Sequence, residues 1–558
     1  MKHLNIPVGI SDFSEIRENG YYFVDKSALI QALLKTEATK VTLITRPRRF
    51  GKTLGMSMLA AFFDIRRDSR ALFDGLEVSK QERLCNQWMN QWPTIFFSLK
   101  DVDGLNFEDA YKRFSVQISN LYKEYTYLLE CPDIDSDDKK IFLELKAGEA
   151  DKIQVNQALS TLMRMLQIYY HKQVVLLLDE YDVPIAKASD RGYYTEMLDF
   201  MKGFMGTALK DNNSLRFAFI TGCLKIAKES IFTGTNNLVT DSITSSGLNE
   251  YFGFTQKDVE TLLKDADAMM YAPKIKKWYD GYHFGDIDVY CPWDVMNYMR
   301  EIQQNADASP ASYWKNTSDN AIIRSFIDYA GSSITKKLEI LLSGGYIKQR
   351  IDENLTYDYL HSSEDNLWSI LYLTGYLTKA REKELKEDLP EGYFALMIPN
   401  EEVRDIFETT VIKWFGESAR TWNRKPLFDA VWNGDSEVVT VEMTKLLRKT
   451  ISYHDYKEDF YHAFLAGIFA GAGYMVESNK EHGEGRSDVI VYDSAGGRVA
   501  IFEAKYSKTL ENMPKECDKA LQQIDSRMYV KEYEDDYDEI LCYGISFFKK
   551  RCLVRIRQ

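Results

Sequence analysis

The feature that most constrains this chain is the run Gln173-Val174-Val175-Leu176-Leu177-Leu178-Asp179-Glu180, unbroken apolar residues ending in two acids. Apolar residues with no polar alternation describe a strand buried on both faces, as in a parallel sheet covered by helices. Ligands of open α/β sheets bind at the carboxyl ends of the strands, where Asp179 and Glu180 emerge. A second strand, Lys40-Val41-Thr42-Leu43-Ile44-Thr45, leads into Arg46-Pro47-Arg48-Arg49-Phe50-Gly51-Lys52-Thr53, and Leu54 to Phe63 has helical apolar spacing. Strand, loop ending in Gly-Lys-Thr, and helix form the context that a phosphate loop requires.

In such a loop, backbone N–H groups and the helix N-terminus bind phosphate oxygens, the lysine neutralises charge, and the threonine hydroxyl binds Mg²⁺. The usual first glycine of G-x-x-x-x-G-K-[ST] is replaced here by Arg46. On pattern alone a basic strand-to-helix turn would read the same way. Asp179 is suited to the Mg²⁺ shell and Glu180 to polarising an attacking water, the division of labour that phosphoryl transfer needs. A third strand, Leu215 to Ile220, ends at Thr221-Gly222, where a polar residue can sense a terminal phosphate, although Thr-Gly is also ordinary turn chemistry.

These stretches, with Val8-Gly9-Ile10-Ser11-Asp12-Phe13, Tyr22-Phe23-Val24-Asp25-Lys26, Asp179-Glu180-Tyr181-Asp182-Val183-Pro184, Thr221 to Ser230, Trp278-Tyr279-Asp280-Gly281-Tyr282 and Tyr313 to Ser318, resemble the AAA-ATPase-like family of bacterial proteins. Members commonly carry a C-terminal PD-(D/E)xK nuclease domain. The resemblance implies ATP as cofactor and Lys52, Thr53, Asp179 and Glu180 as ATPase residues; the loop residues Arg48, Arg49, Phe50 and Gly51 and the strand-end Thr221 are expected to bind the nucleotide with them. It further implies Mg²⁺ on Thr53 and Asp179, and Glu180 as a catalytic residue. Arg46 in place of glycine is typical of this family's loop.

Near the other end, Phe460, Phe464, Leu465, Ile468 and Phe469 recur at helical spacing, so a helix is expected from about Tyr456 to Ala470, with Glu458 and His462 on one face. Strands follow at Tyr474–Asn479, Asp488–Tyr492 and Arg498–Tyr506, the last two joined by a turn at Asp493 to Gly497. A helix bearing Gln522 and Gln523 and strands at Glu539–Phe547 and Cys552–Ile556 complete the order. Glu503 and Lys505 share a strand face because side chains alternate with period two. Gly485-Arg486-Ser487-Asp488 with Glu503-Ala504-Lys505 therefore offers hard oxygen ligands for Mg²⁺ or Mn²⁺, from Asp488, Glu503 and the Ala504 carbonyl, and a cation in Lys505 for the water or scissile phosphate. A solvated hairpin with a Glu/Lys pair is the plain alternative. The arrangement is similar to the PD-(D/E)xK fold, which implies roles for Glu458 as the helical acid, Asp488 and Glu503 as metal ligands, Lys505 as catalytic, Gln523 on the following helix and Tyr461-His462 in positioning.

The 558 residues exceed what one hydrophobic core supports, and 45% hydrophobic content with 12 Pro reads as globular throughout. The expected fold is α/β: an N-terminal P-loop (AAA-like) parallel-sheet ATPase domain over 1–250, a mostly helical lid and connecting region over 251–440, and a C-terminal restriction-endonuclease-like domain over 441–558. Aromatic groups of the middle region, such as Trp278 to Phe284 and Pro292-Trp293, are read as packing anchors rather than base-stacking platforms, and His283 as structural or superficial. Seven cysteines form no CxxC pair, the first residues hold no apolar signal core, and no run reaches the ~18 apolar residues of a membrane span. A cytoplasmic protein without a membrane partner is expected. The net charge of −14 opposes nonspecific polyanion binding, while Arg46–Arg70 and Lys549–Arg557 concentrate local positive charge, as a groove or as solvated surface.

The expected function is ATP binding or hydrolysis controlling a Mg²⁺-dependent nuclease that acts on DNA, with RNA and homo-oligomerisation left open. The alternative is a nucleotide switch that binds DNA or a protein without cutting.

Overall fold

Residue alternation in the central strands decides the N-terminal architecture. Val174, Leu176 and Leu178 join one buried cluster with Leu43 and Phe97, whereas Val175 and Leu177 join another with Ile44, Met56, Leu59 and Phe63. Both faces of the sheet are thus covered, which is why the strand reads as one apolar run. The fold is that of a computed structural model describing residues 2–557 except 36–38, 226–237, 315–336, 339, 354, 356–363, 386–387, 420–424, 451–457, 479–480, 483–484, 487 and 495. Side chains of 411–419, 448–450, 458–460, 481–482 and 485–486 also lie outside the described set.

Contacts divide the chain into two compact units, Met1–Tyr313 with Lys348–Glu401, and Trp314–Ile347 with Glu402–Gln558. The first holds a five-stranded parallel sheet of β1 (Val41–Thr45), β2 (Thr94–Ser98), β3 (Val174–Asp179), β4 (Leu215–Gly222) and β5 (Leu238–Asp241), in the order β2-β3-β4-β1-β5. Helix α1 (Lys52–Phe63) follows β1. It starts two residues before the apolar spacing because Gly51, at φ 83°, turns the loop into its first turn. Beyond the sheet, helices Gln256–Asp265, Ala272–Tyr279 and Pro292–Gln304 close on a core containing Tyr279, Tyr290 and Tyr298. Tyr279 packs as expected. His283 Nδ1 lies 3.0 Å from Asp288, whose carboxyl is held down at about 2 by His283 and Arg381.

The second unit carries α2 (Glu458–Ala470) and a five-stranded sheet of β6 (Met475–Ser478), β7 (Val489–Asp493), β8 (Arg498–Tyr506), β9 (Glu539–Phe548) and β10 (Arg551–Ile556), in chain order across the sheet. Only β8 and β9 are parallel, a pairing that needs a crossover, supplied by α3 (Met513–Ser526). A Cβ on Gly544 in β9 would lie 2.5 Å from the Cys517 carbonyl, so glycine there lets α3 lie directly on the strand. Parts of the expected elements at Tyr456, Asn479, Ser487 and Ala495, and the family-like stretches Ile226–Ser230 and Lys315–Ser318, lie outside the described residues.

Arg46 decides how the first sheet closes. It is fully buried, ion-paired with Asp241 at the end of β5, and donates to Asn249 Oδ1 (2.8 Å) and to the carbonyls of Asp241 (3.0 Å) and Thr45 (2.8 Å). Its guanidinium lies 5.4 Å from the Phe252 ring centroid. Arg46→Gly, which restores the usual residue of the motif, is expected to cost about 3–5 kcal/mol by stranding the Asp241 charge. Denaturant unfolding of the two proteins checks this.

Candidate active sites at two sheet edges

Because every strand of the first sheet is parallel, β1, β3 and β4 deliver their carboxyl ends to one edge. β4 lies between β3 and β1, so Thr221 sits between Asp179 and the Arg46–Thr53 loop. The Thr221 hydroxyl donates to Asp179 Oδ1 (2.5 Å). Asp179 is fully buried, and its Oδ2 has no hydrogen-bond partner among the described residues. An acceptor stranded this way fits a cation. The next segment fastens β3 to β4: Asp182 accepts the Cys223 (2.9 Å) and Leu224 (3.0 Å) N–H groups, and the Tyr181 hydroxyl donates to the Leu224 carbonyl (2.8 Å).

Lys52 is buried on the first turn of α1, and its ammonium donates to the carbonyls of Arg46 and Pro47, both at 2.9 Å. Its Nζ also lies 3.7 Å from Cys223 Sγ. Thr53 follows it, half-buried on the same turn. Glu180 takes a left-handed φ of 54°. Burial raises its carboxyl above the ordinary range, Asp179 adds to this, and Lys52 and Arg48 oppose it. Arg49, also left-handed at φ 72°, lays its guanidinium 4.8 Å from the Trp293 ring centroid and donates to the Tyr313 carbonyl (3.2 Å). Phe50 is buried against Tyr282 and Phe284, so its side chain anchors the loop.

Loop residues Arg49 to Leu54 and Glu180 open on a cleft of about 330 Å³, walled by Ile10, Phe23, Val24, Trp293 and Met296. Trp293, read from sequence as a packing aromatic, is part of this wall. The basic concentration around Arg46 is no uniform surface: Arg46 is buried, and Arg66 pairs with Asp64 (2.8 Å) over the Tyr125 ring.

In the second sheet, Lys505 Nζ donates to Glu503 Oε1 (2.9 Å) and to the Ala504 carbonyl (3.1 Å). Asp488 Oδ2 accepts the Ala504 N–H (2.7 Å) and lies 3.1 Å from His462 Nε2. Glu503 is fully buried, with Oε2 lacking a hydrogen-bond partner among the described residues. Burial and then Asp488 hold its carboxyl well above the ordinary range, against the pull of Lys505. His462, Asp488, Glu503 and Lys505 thus gather at one site. Tyr461, next to His462, turns instead to the Lys549 carbonyl (2.9 Å). Gln523, half-buried on α3, hydrogen-bonds Tyr529, whose ring is buried and whose hydroxyl feels Glu503 and Asp488. Tyr529 carries no sequence signal, since it follows Lys505 by a whole crossover and only the fold returns it. Glu458 opens α2, but its side chain lies outside the described residues.

Among the described residues no three His, Cys, Asp or Glu side chains gather to hold a metal alone. A divalent ion on Asp488 and Glu503 would also lean on the Ala504 carbonyl and water, as Mg²⁺ commonly does. All seven cysteines are free thiols, and no described helix is long and apolar enough to cross a membrane.

Residues 7–232 match a family model described as "Predicted AAA-ATPase", and residues 456–556 match the PD-(D/E)XK nuclease superfamily. The chain is also similar to an uncharacterized protein in the vnfD 5'region of Azotobacter chroococcum mcd 1, 25% identical over 563 residues, covering 98% of this chain and 97% of the relative.

The raised Glu503 carboxyl sets a sign. Folding favours its neutral form, so ionisation costs stability progressively as pH rises above the ordinary value of 4.5. Glu503→Gln, which keeps an acceptor for Lys505, should therefore gain on wild type as pH rises from 5 to 8, by roughly 1–3 kcal/mol. Thermal melts in chelator across that range check the trend.

Proposed function

From an AAA-ATPase-like domain at its N-terminus and a PD-(D/E)XK nuclease superfamily domain at its C-terminus, we propose that this chain binds and hydrolyses ATP and that its nucleotide state governs metal-dependent hydrolysis of DNA. One observation carries the reading. In each domain a fully buried carboxylate, Asp179 or Glu503, keeps one oxygen without a hydrogen-bond partner, while a lysine of the same site, Lys52 or Lys505, is fixed by backbone carbonyls.

In the first site Lys52 and the loop N–H groups meet the β- and γ-phosphates, and Thr53 and Asp179 hold Mg²⁺. Glu180, with its carboxyl raised by burial, orients the attacking water and accepts its proton, and Thr221 reads the terminal phosphate. In the second, Asp488, Glu503 and the Ala504 carbonyl hold Mg²⁺ or Mn²⁺, and Lys505 places the water against the scissile phosphate. His462 steadies Asp488, Gln523 lines the site, and Glu458 adds its carboxylate from α2. When bound, such an ion neutralises charge on the phosphoryl oxygens and acidifies a coordinated water.

Arg49 supports the controlling link. It belongs to the phosphate loop yet donates to the carbonyl of Tyr313, after which the chain leaves its unit at Trp314. Phosphate oxygens compete for that guanidinium, so nucleotide binding bears on the point of exit. In this reading residues 1–250 form the nucleotide domain, 251–440 the lid and connection and 441–558 the nuclease, acting in the cytoplasm.

Lys52→Ala should weaken ATP binding at least about tenfold, whereas Glu180→Gln should bind ATP and lose about 10²–10³-fold in phosphate release. Asp488→Ala and Lys505→Ala should each lower plasmid cleavage in Mg²⁺ or Mn²⁺ by about 10²–10⁴-fold. Undiminished cleavage by either, or no product from wild type with or without ATP, would overturn the nuclease assignment.

A further inference from the structure

The basic C-terminal stretch occupies two places in the fold. Arg555 pairs with Asp518 and Arg557 with Asp525 (3.0 Å), so both guanidinium charges are locally compensated. Lys549, Lys550 and Arg551 form and leave the tight turn joining β9 to β10, with Lys549 at a left-handed φ of 53° and its ammonium 5.3 Å from the Phe548 ring centroid. Arg551 is exposed, and the two lysines are half-exposed.

Two contacts fix this turn to the candidate nuclease site. The Tyr461 hydroxyl holds the Lys549 carbonyl (2.9 Å), and the Tyr461 ring stacks on Phe547 with centroids 4.2 Å apart and planes 7° apart. The next residue along α2 is His462, 3.1 Å from Asp488. Register gives the reach: Lys505 lies beside Ser546 across the β8–β9 pair, and Lys549 is three residues further on. At 3.3 Å per residue, the turn stands about 10 Å beyond Lys505, roughly three nucleotide steps of 3.4 Å along one strand.

We propose that the Lys549-Lys550-Arg551 turn is a nucleic-acid backbone grip, which takes strand phosphates flanking the one held at Lys505. The inference rests on the nuclease reading for its geometry, but it concerns binding and is tested by binding. A chain of net charge −14 repels DNA at long range, so a short cationic turn locked to the catalytic helix supplies the attraction where it is needed.

The test uses the full chain carrying Glu503→Gln, so that DNA is retained, with a fluorescent 30-base-pair duplex titrated at several salt concentrations. Replacing Lys549, Lys550 and Arg551 together by Gln should weaken binding about 10- to 100-fold and flatten the slope of log affinity against log salt by about 2 to 3, near one per phosphate contact. Replacing Arg555 and Arg557 by Gln removes two cations of the same domain and should move the slope by less than one. Lys550→Glu alone should weaken binding more than Lys550→Gln. Equal affinity and slope in the triple variant, an equal loss in the Arg555/Arg557 variant, or no DNA binding by the parent overturns the grip. Turn-dependent binding by a chain that never cuts leaves the grip standing and removes the nuclease reading instead.

Discussion

The buried ion pair of Arg46 with Asp241 sets the shape of the sheet edge that carries the Arg46–Thr53 loop. A guanidinium with no solvent exposure is costly unless it is paired, and the two terminal nitrogens of this one are tied to Asp241, Asn249 and two carbonyls, while its Nε has no hydrogen-bond partner among the described residues. Asp241 ends β5 and Asn249 opens a short 3-10 turn further on, while Thr45 ends β1, so one side chain joins the edge strand to the Arg46–Thr53 loop. The same loop then needs sharp turns at Arg49 and Gly51, both at positive φ, before α1 can begin. Lys52 is thereby aimed back at the carbonyls of the residues that started the loop.

A different constraint organises the C-terminal sheet. Three of the four strand pairs are antiparallel and need no crossover, but the one parallel pair forces the chain across a sheet face, and α3 brings Gln523 and Tyr529 with it. Period two then places Glu503 and Lys505 on the face that also carries Val499 and Ile501, which pack with Ile524 of α3. Asp488 arrives from the neighbouring strand and is held by the Ala504 N–H, so the segment that separates Glu503 from Lys505 also fixes the second carboxylate.

Much of this was legible in the chain because burial and period leave direct marks. The unbroken Val174–Leu178 run announced a two-sided strand, and β8 falls on Arg498–Tyr506, the span expected from the sequence. Glu503 with Lys505 was readable for the same reason. Arg46 was not, since a basic residue in a phosphate-binding pattern looks like a ligand group until its long-range partner is known, and Asp241 lies 195 residues away. Tyr529 and Trp293 were hidden likewise: an aromatic shows its size in a sequence, but only the tertiary path shows which cavity or carboxylate it meets.

Gly544 touches no candidate ligand, yet it limits how this protein can vary. Any side chain there would meet the Cys517 carbonyl and push α3 off the sheet, carrying Gln523 with it. A substitution there would disturb the site without removing any of its chemistry, because the floor beneath it rises. What Gly544 supplies is clearance.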